Sequence, residues 1–298
     1  MQLFNQLVVR TLPFVPKGVV RRFASRYVAG ETLAQALDVI RRLNAEGCMA
    51  TLDVLGEDVN TLSETEATVA EYVAALDAIA REKVDSNISV KLTAFGLKLD
   101  AKACRTQFRK VLDSAREHGT FVRIDMEDSS VTAETIRIYE ESRELSERVG
   151  LVLQAYLHRS RDDARRAAQS RANVRVCKGI YVEPPAIAFQ DRGEIRDSYS
   201  DMVDTLLSEG AYVGIATHDV VLVERALATI ERLRLSPGAY EFQMLLGVQA
   251  DLRRRLVAEG HRLRVYVPYG QAWYGYSLRR LKENPAIAGQ IVKNVFGK

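Results

Sequence analysis

The amino-acid sequence predicts an α/β protein and, within that class, a TIM-type (β/α)8 barrel. Short apolar runs rich in β-branched residues recur eight times along the 298 residues, and segments with helical periodicity separate them. Parallel strands need crossover connections, which are usually helices, and eight such units in roughly 250 residues match the size of this barrel. The predicted strands are residues 48–56, 87–96, 121–128, 151–158, 173–181, 211–219, 240–247 and 262–270.

The clearest helical segments follow the first, third and sixth of these runs, at residues 63–84, 132–149 and 220–235. Ser63 and Thr132 open two of them with a glutamate nearby, which predicts two N-caps.

A doubly wound sheet is the alternative fold, but it usually carries a GxGxxG turn that binds a dinucleotide. No two glycines stand two residues apart here, so this motif is missing from the sequence. Gly270 and Gly275 have the spacing of a P-loop, yet Tyr-Ser follows them where the motif requires Lys.

The first 30 residues are predicted to form an N-terminal helical arm outside the barrel, and residues 31–298 the catalytic barrel domain. The segment "MQLFNQLVVRTLPFVPKGVVRRF" is apolar but is interrupted by charged and proline residues, so it lacks a continuous secretory core. A surface helix or docking arm is favoured, and weak contact with a membrane stays open. No apolar run reaches the roughly 20 residues of a membrane span.

The composition is 47% hydrophobic and 27% charged, which is typical of a globular protein. The net charge is +3 with acids and bases mixed along the chain, so no nucleic-acid partner is expected. Three cysteines without a CxxC motif suit a reducing compartment. We therefore expect a cytoplasmic protein, with peripheral contact at the inner face of the membrane left open.

Polar residues gather at the carboxyl ends of the predicted strands, where a barrel places its active site. Buried strands flanked by helices should be almost continuously apolar, so these side chains need partners or a ligand. The residues are Asp53, Lys91, Asp125, Glu127, Asp128, Gln154, Arg175, Lys178, Tyr181, Thr217, His218, Asp219, Gln243 and Tyr266.

Each of these residues also has a purely structural interpretation. Lys91 and Asp125 could form an ion pair, Gln154 could satisfy a hydrogen bond within the barrel, and His218 could neighbour a helix N-cap. The segment "DMED" contains three carboxylates, but no histidine pattern supports a metal site and none is expected. The structural interpretations would jointly require the strands to carry polar residues at the same end of the barrel without a ligand there. A binding site explains this arrangement better.

The segment "YGQAWYGYSLRRLKENP" predicts a C-terminal helix that binds an anion. On a helix beginning after Gly270, one face would carry Tyr276, Arg279, Arg280 and Glu283. Two adjacent guanidinium groups resist burial unless an anion meets them. The alternative is an exposed helix end whose long side chains cover apolar surface.

Eight segments together resemble the proline dehydrogenase family, and the resemblance is greatest to its short monofunctional bacterial members. They are "ISVKLTAFG", "RIDMED", "LQAYLHR", "VRVCKGIYVEP", "IATHD", "YEFQMLLG", "RVYVPYG" and "WYGYSLRRLKENP". The resemblance implies a FAD-dependent (β/α)8 barrel that oxidises L-proline to 1-pyrroline-5-carboxylate, the first step of proline degradation to glutamate. It also implies hydride transfer to N5 of FAD and a membrane quinone as electron acceptor.

The same resemblance implies a role for each matching residue. The catalytic residues would be Asp125 and Arg175, with Arg175 near flavin N5, and Lys91 would reach the substrate and pair with Asp125. The substrate site would comprise Lys91, Tyr181, Leu245, Tyr266, Tyr276, Arg279, Arg280 and Glu283. The FAD site would comprise Met126, Gln154, Arg175, Lys178, Gly179, Ile180, Thr217 and His218. Ile180 departs from the family, which usually has Ala there.

Two other functions stay open from the residues alone. A Schiff-base aldolase would use Lys91 or Lys178 as its nucleophile and would hold no chromophore. A non-catalytic anion-binding barrel would use the charged strand ends for binding only.

Overall fold

The computed structural model describes residues 21, 24–56 and 58–277, and it contains a closed barrel of eight parallel strands. The strands are β1 (Met49–Val54), β2 (Ser86–Val90), β3 (Val122–Ile124), β4 (Val149–Gln154), β5 (Asn173–Cys177), β6 (Tyr212–Ala216), β7 (Tyr240–Leu245) and β8 (Leu263–Tyr269). Each strand pairs with the next along the chain, and β8 closes the barrel on β1 from Met49–Arg264 to Val54–Tyr269. The predicted fold class is confirmed.

Helices alternate with the strands and form the outer layer. They are α1 (Leu33–Ala45), α2 (Glu64–Glu82), α3 (Ala101–Glu117), α4 (Ser129–Leu145), α5 (Ser160–Gln169), α6 (Arg192–Ser208), α7 (Val220–Leu233) and α8 (Ala250–Ala258). Short 3-10 helices occupy Leu92–Phe95 and Pro237–Ala239. The core lies between the two layers, where strand residues such as Leu52, Ile88 and Val265 are fully buried. Each such side chain contributes roughly 1.5–3 kcal/mol through its removal from water.

Aspartates at the carboxyl end of the barrel start several helices. Asp128 accepts a hydrogen bond from the amide of Ser130, and Asp219 accepts one from that of Val221, so both cap a helix N-terminus. This corrects one predicted cap, because Thr132 lies inside α4. Ser63 does occupy the N-cap position of α2, but its side chain makes no capping bond.

The strands end earlier than predicted, because the polar residues that close each run leave the sheet. Lys91 follows the end of β2 and begins a 3-10 turn, and Asp125 follows the end of β3. Lys91 and Asp125 therefore stand just beyond their strands at the mouth of the barrel, whereas Asp53, Arg175 and Tyr266 remain within theirs. This is the position from which they can meet a ligand.

Residues 24–30 pack against the carboxyl end of the barrel. The amide of Ala29 donates to the carbonyl of Pro268 at 2.8 Å, and Nε of Arg26 donates to that of Gly247 at 3.0 Å. Val28 packs with Leu55. The arm proposed for residues 1–30 lies mostly outside the described residues, so the domain boundary stays a prediction. Among the residues described, no helix has the length and apolar character to cross a membrane.

Candidate active site

Two buried ion pairs meet at the carboxyl ends of the strands, and Tyr266 joins them. Nζ of Lys91 lies 3.0 Å from Oδ1 and 3.1 Å from Oδ2 of Asp53. Nη1 of Arg175 lies 2.5 Å from Oδ1 of Asp125. The hydroxyl of Tyr266 donates to Oδ2 of Asp125 at 2.9 Å and accepts from Lys91 at 3.5 Å. Four charged groups and one phenol therefore form a single connected network.

The structure corrects the expected pairing of Lys91 with Asp125. Lys91 forms its ion pair with Asp53 on β1, and Asp125 forms its ion pair with Arg175 on β5. The reason is geometric. Asp53 is fully buried, while the long side chain of Arg175 crosses the barrel interior to reach Asp125.

Arg175 is held on several sides at once. Its Nε donates to Oε1 of Gln243, and its Nη2 donates to Oγ of Ser89 at 3.1 Å. Its guanidinium also lies over the ring of Tyr266, 5.5 Å from the ring centre. A cation with this many fixed partners has little freedom to reorient, so it presents its charge in one direction.

Burial controls the protonation of two groups in the network. It raises the pKa of Asp53 to about 6, although the neighbouring Lys91 acts to lower it. Burial also raises the pKa of Tyr266 well above its ordinary value, and the charges of Asp125 and Asp53 add to this effect. At neutral pH Tyr266 is therefore a phenol that donates a hydrogen bond, and Asp53 is ionised beside Lys91.

Residues after β3 and β4 tie neighbouring loops together. Glu127 accepts bonds from the amide of Thr93, at 3.1 Å, and from its hydroxyl. Nε2 of Gln154 donates to the carbonyl of Glu127 at 2.8 Å, and Met126 is buried beside them. Within the described ranges, no group of three or more His, Cys, Asp or Glu could hold a metal ion. Glu127 holds a turn, and Asp128 caps a helix N-terminus.

The segment after β5 combines charge, space and exposed apolar surface. Nζ of Lys178 lies 3.4 Å from Oδ2 of Asp219, which Arg196 also binds through Nε at 2.9 Å. Although its partial burial acts to raise it, the pKa of Asp219 is lowered overall by these two cations. Ile180 is 43% exposed, and Tyr181 follows it at the barrel mouth.

Gly179 meets two requirements that exclude other residues. Its φ is +109°, a conformation that residues with a Cβ rarely adopt. A Cβ at this position would also lie 2.0 Å from the ring of Tyr156. The close contact fixes the path of the chain between Lys178 and Ile180.

Residues at the ends of β6 and β7 are bonded to each other. Nε2 of His218 accepts from the amide of Leu245 at 2.9 Å, which assigns the ring proton of the neutral tautomer to Nδ1. Thr217 is buried, and its hydroxyl accepts from the amide of Asp219 at 3.1 Å. Leu245 is thereby held at the mouth of the barrel, as its expected place in a substrate site requires.

The C-terminal segment is described as far as residue 277. Tyr276 is buried against Leu55 and Val28, and its charge when ionised would raise the pKa of Tyr266, so it lies near the network. Arg279, Arg280 and Glu283, the predicted carboxylate-binding residues, lie outside the described residues.

Sequence reasoning missed Ser89, and it named Gln243 and Asp53 only as polar strand-end residues without a specific role. All three contact the network. The alternation of strand residues would have found Ser89, because it stands two positions before Lys91 and so faces the same side. Gln243 lies two positions before Leu245 by the same rule. Asp53 was noticed, but its partner was not.

A closed barrel of eight parallel strands with ion pairs gathered at the strand carboxyl ends defines a (β/α)8-barrel enzyme. A family model described as Proline dehydrogenase matches residues 36–293. The chain therefore belongs to the proline dehydrogenase family. It is accordingly an oxidoreductase that oxidises proline, the first step of proline catabolism.

Individual relatives agree with this assignment. Proline dehydrogenase 1 of Bacillus subtilis subsp. natto is 36% identical over 275 residues, which cover 92% of this chain and 91% of that protein. Proline dehydrogenase of Deinococcus radiodurans is 34% identical over 285 residues, with 92% and 90% covered.

One similar solved structure is the proline utilization A protein (PutA) of Bdellovibrio bacteriovorus inactivated by N-propargylglycine. It matches with a TM-score of 0.84 at 24% identity over 98% of this chain. This chain spans 38% of the length of that protein, and the likeness supports the barrel fold.

Proposed function

We propose that the enzyme oxidises L-proline to 1-pyrroline-5-carboxylate, with FAD as its cofactor and a membrane quinone as the final electron acceptor. The observation that carries the proposal is the network of Asp53, Lys91, Tyr266, Asp125 and Arg175 at the barrel mouth. It offers fixed charges and a phenol to a small zwitterion with one carboxylate and one ring nitrogen.

The surface after β5 and β6 fits a flavin nucleotide in its chemistry. Ile180 is 43% exposed and Val182 is fully exposed, so apolar surface is left for a planar ring system. Lys178 and Arg196 bring positive charge to the same region, and a diphosphate requires such charge. These residues would hold the cofactor together with Met126, Gln154, Gly179, Thr217 and His218.

Bound FAD would supply the hydride acceptor, at its N5 atom. The residues of this chain position the substrate and balance charge around it. Arg175 presents a fixed cation that favours negative charge developing beside it. Lys91 and Arg175 are each balanced by a carboxylate. The positive charge that favours the neutral amine of proline, from which a hydride can leave, would therefore come from Arg279 and Arg280. Asp125 and Tyr266 keep Arg175 and Lys91 in place.

The substrate pocket would be lined by Tyr181, Leu245, Tyr266 and Tyr276, with Arg279, Arg280 and Glu283 on the segment that follows. Replacing Arg279 or Arg280 by Met should weaken the binding of a proline analogue by about ten- to a hundredfold, because a charge-assisted bond contributes roughly 1.5–3 kcal/mol. A tetrahydrofuran carboxylate titrated against the flavin absorption band measures this. An unchanged dissociation constant in both variants would assign the pair to a solvated helix face.

The Schiff-base alternative is less favoured by the geometry. An attacking lysine must be neutral, and Nζ of Lys91 lies 3.0 Å from a buried carboxylate that favours its ammonium form. Lys178 is likewise paired, with Asp219.

The test is spectroscopic. Purified protein should be yellow, and denaturation should release FAD into the supernatant. Proline should bleach the flavin band under anaerobic conditions, and a soluble quinone analogue should restore it with turnover. A colourless protein without FAD would overturn the cofactor assignment. Proline-dependent reduction of NAD without turnover of the quinone analogue would overturn the acceptor. An imine trapped by borohydride on Lys91 or Lys178 would favour the aldolase.

A further inference from the structure

A second cavity lies at the amino ends of the strands, opposite the candidate active site. It has a volume of about 520 Å3 and is lined by the starts of six strands and by the turns that precede them. Arg123 on β3, Glu241 on β7 and Arg264 on β8 are each the second residue of their strand, and all three form part of its wall.

The lining of this cavity carries an excess of positive charge. The cationic side chains are Lys83, Arg123, Arg148, Arg262 and Arg264, and the carboxylates are Asp85 and Glu241. Glu241 forms an ion pair with Arg264, because its two carboxylate oxygens lie 2.7 Å from Nε and 3.0 Å from Nη2 of that arginine. The remaining cations face the cavity with Asp85 as the other carboxylate in its wall.

Arg123 is a buried cation whose hydrogen-bond acceptors are neutral oxygens. It is 1% exposed, and its Nη1 donates to the carbonyls of Leu151 and Asn173, both at 2.9 Å, while Nη2 donates to Oδ1 of Asn173. Its Nε makes no hydrogen bond to the described residues. The carboxylates of Glu241 and Asp125 act on the pKa of Arg123, but its hydrogen bonds go to neither of them. A buried guanidinium without a directly bonded carboxylate would be stabilised by an anion in the cavity.

The backbone is adapted to place this guanidinium. A Cβ on Gly150 would lie 2.4 Å from Nη1 of Arg123, so glycine on β4 leaves the space that the side chain occupies. Burial, together with the charges of Arg175 and Arg264, lowers the pKa of Arg123 to about 9, although Glu241 and Asp125 act to raise it.

We propose that the amino-end cavity, whose rim carries Arg148 and Arg262, binds a small multivalent oxyanion, a phosphate group or a dicarboxylate. Both rim arginines are exposed. Arg148 donates through Nη1 to the carbonyl of Gly119 at 2.9 Å, and the guanidinium of Arg262 lies over the ring of Tyr212 at 5.9 Å. These contacts hold the two arginine side chains in place and leave further N–H donors on each guanidinium group for an anion.

The cavity is distinct from the active site but is connected to it. Nε2 of Gln243 donates to Oε1 of Glu241 at 2.5 Å, and Oε1 of Gln243 accepts from Nε of Arg175. Glu241 is thus bonded to Arg264 in the cavity wall and, through Gln243, to Arg175 in the active site. An anion at the amino end would change the field on this chain of side chains without touching the substrate.

The proposal is tested by isothermal titration calorimetry of the purified enzyme at fixed pH and ionic strength. Sodium phosphate and sodium succinate are the probes, and sodium chloride is the reference. We expect one saturable site for phosphate or succinate and none for chloride. Tighter binding of phosphate would assign a phosphate group, and tighter binding of succinate a dicarboxylate.

Four variants locate the site. Arg148→Met and Arg262→Met should each weaken binding by about tenfold or more, since each removes a charged donor from an exposed position where folding is not at risk. Arg262→Lys keeps the charge and should retain more binding than Arg262→Met. Arg137→Met, on the outer face of α4 with its side chain 65% exposed, should bind as the wild type does.

A second readout is thermal stability, which should rise with the concentration of the bound anion in the wild type and in Arg137→Met, and less in the two rim variants. The proposal is overturned if no saturable binding occurs. It is also overturned if the rim variants bind as tightly as the wild type, because the anion would then occupy another site.

Discussion

The hydroxyl group of Tyr266 connects the Asp53–Lys91 ion pair to the Asp125–Arg175 ion pair, and the chemistry of the barrel mouth depends on that connection. Asp53 and Lys91 balance each other, as do Asp125 and Arg175, so four ionised groups remain buried without a net charge. A pair of this kind adds little stability compared with apolar residues, but the loss of one member leaves the other charge uncompensated. The network is therefore better explained by function than by stability.

Asp125→Asn should reduce both turnover and stability. The variant removes the anion that holds Arg175, so we expect kcat to fall by at least about 100-fold, the scale seen when one electrostatic contact is lost. The free energy of unfolding should fall by about 2–3 kcal/mol, because Arg175 becomes a buried charge without its partner. Steady-state kinetics and urea unfolding measure the two effects.

Asp163→Asn is the matched control for this variant. Asp163 is a buried carboxylate on α5 that pairs with Arg159 at 2.7 Å, and it is not part of the network. Its replacement should reduce stability while leaving kcat unchanged. Wild-type turnover and flavin content in Asp125→Asn would show that Asp125 has only a structural role.

Tyr266→Phe should show the contribution of the hydroxyl separately from that of the ring. The ring and its contact with Arg175 are kept, while the bonds to Asp125 and Lys91 are lost. We expect kcat/KM to fall by about tenfold, the equivalent of roughly 1.4 kcal/mol for a hydrogen bond to a charged group. Tyr139→Phe is the control, because that buried hydroxyl, on α4, lies outside the network and its removal should leave the kinetics unchanged. Identical kinetics in both variants would contradict a role for the Tyr266 hydroxyl.

At the scale of elements, the number, order and type of the strands could be predicted from apolar periodicity, but their ends could not. The predicted strands extend beyond the observed ones, because residues such as Lys91 and Lys178 have neighbours whose pattern is typical of a strand. Whether a residue remains in the ladder depends on its hydrogen-bonding partner in the next strand. That partner is a property of the closed barrel and not of the local sequence.

Gly179→Ala should destabilise the loop that follows β5. The substitution places a Cβ in a left-handed conformation and 2.0 Å from the ring of Tyr156. We expect the free energy of unfolding to fall by about 2–4 kcal/mol from backbone strain and overpacking together. If this loop holds the cofactor as proposed, the flavin content of the purified variant should fall as well.

Gly238→Ala is the matched control in the short 3-10 helix Pro237–Ala239. A Cβ there would meet its nearest atom, Oγ of Ser236, at 3.9 Å, which is an ordinary contact. Its unfolding free energy should stay within about 0.5 kcal/mol of the wild type. Equal stability of the two glycine variants, measured by chemical denaturation, would argue against strain at Gly179.

At the scale of the whole molecule, the sequence predicted the end of the barrel where the charged side chains gather but not which charges pair. Lys91 follows β2, and its neighbours β1 and β3 both offer a carboxylate, Asp53 and Asp125. Arg175 resolves the choice by reaching Asp125 from β5 across the interior. Such a contact depends on whether the side chain is long enough to span the closed barrel. The diameter of the barrel cannot be predicted from the residues of one strand. The amino-end cavity escaped prediction for the same reason.

The buried carboxylate of Asp53 should give the enzyme opposite pH dependences of stability and activity. Its pKa is raised from an ordinary 3.8 to about 6 in the folded protein. The folded state therefore holds a proton between these values that the unfolded chain has released, and stability must fall as pH rises through this window. A shift of about two pH units corresponds to roughly 3 kcal/mol. Above about pH 6, however, Asp53 is ionised and can hold Lys91 in the network, so activity should rise as stability falls.

Asp53→Asn tests both halves of this argument, because its side chain does not titrate. The fall in unfolding free energy between pH 4 and pH 6, measured by urea denaturation at each pH, should be shallower in the variant by up to about 3 kcal/mol. The rise in kcat/KM near pH 6 should also be lost. Asp251→Asn, at a carboxylate whose side chain is 95% exposed, should follow the wild-type curves. If Asp53→Asn instead keeps the wild-type slope in stability, the proton taken up on folding belongs to another group. If kcat/KM of Asp53→Asn still rises near pH 6, Lys91 does not depend on Asp53 for its position.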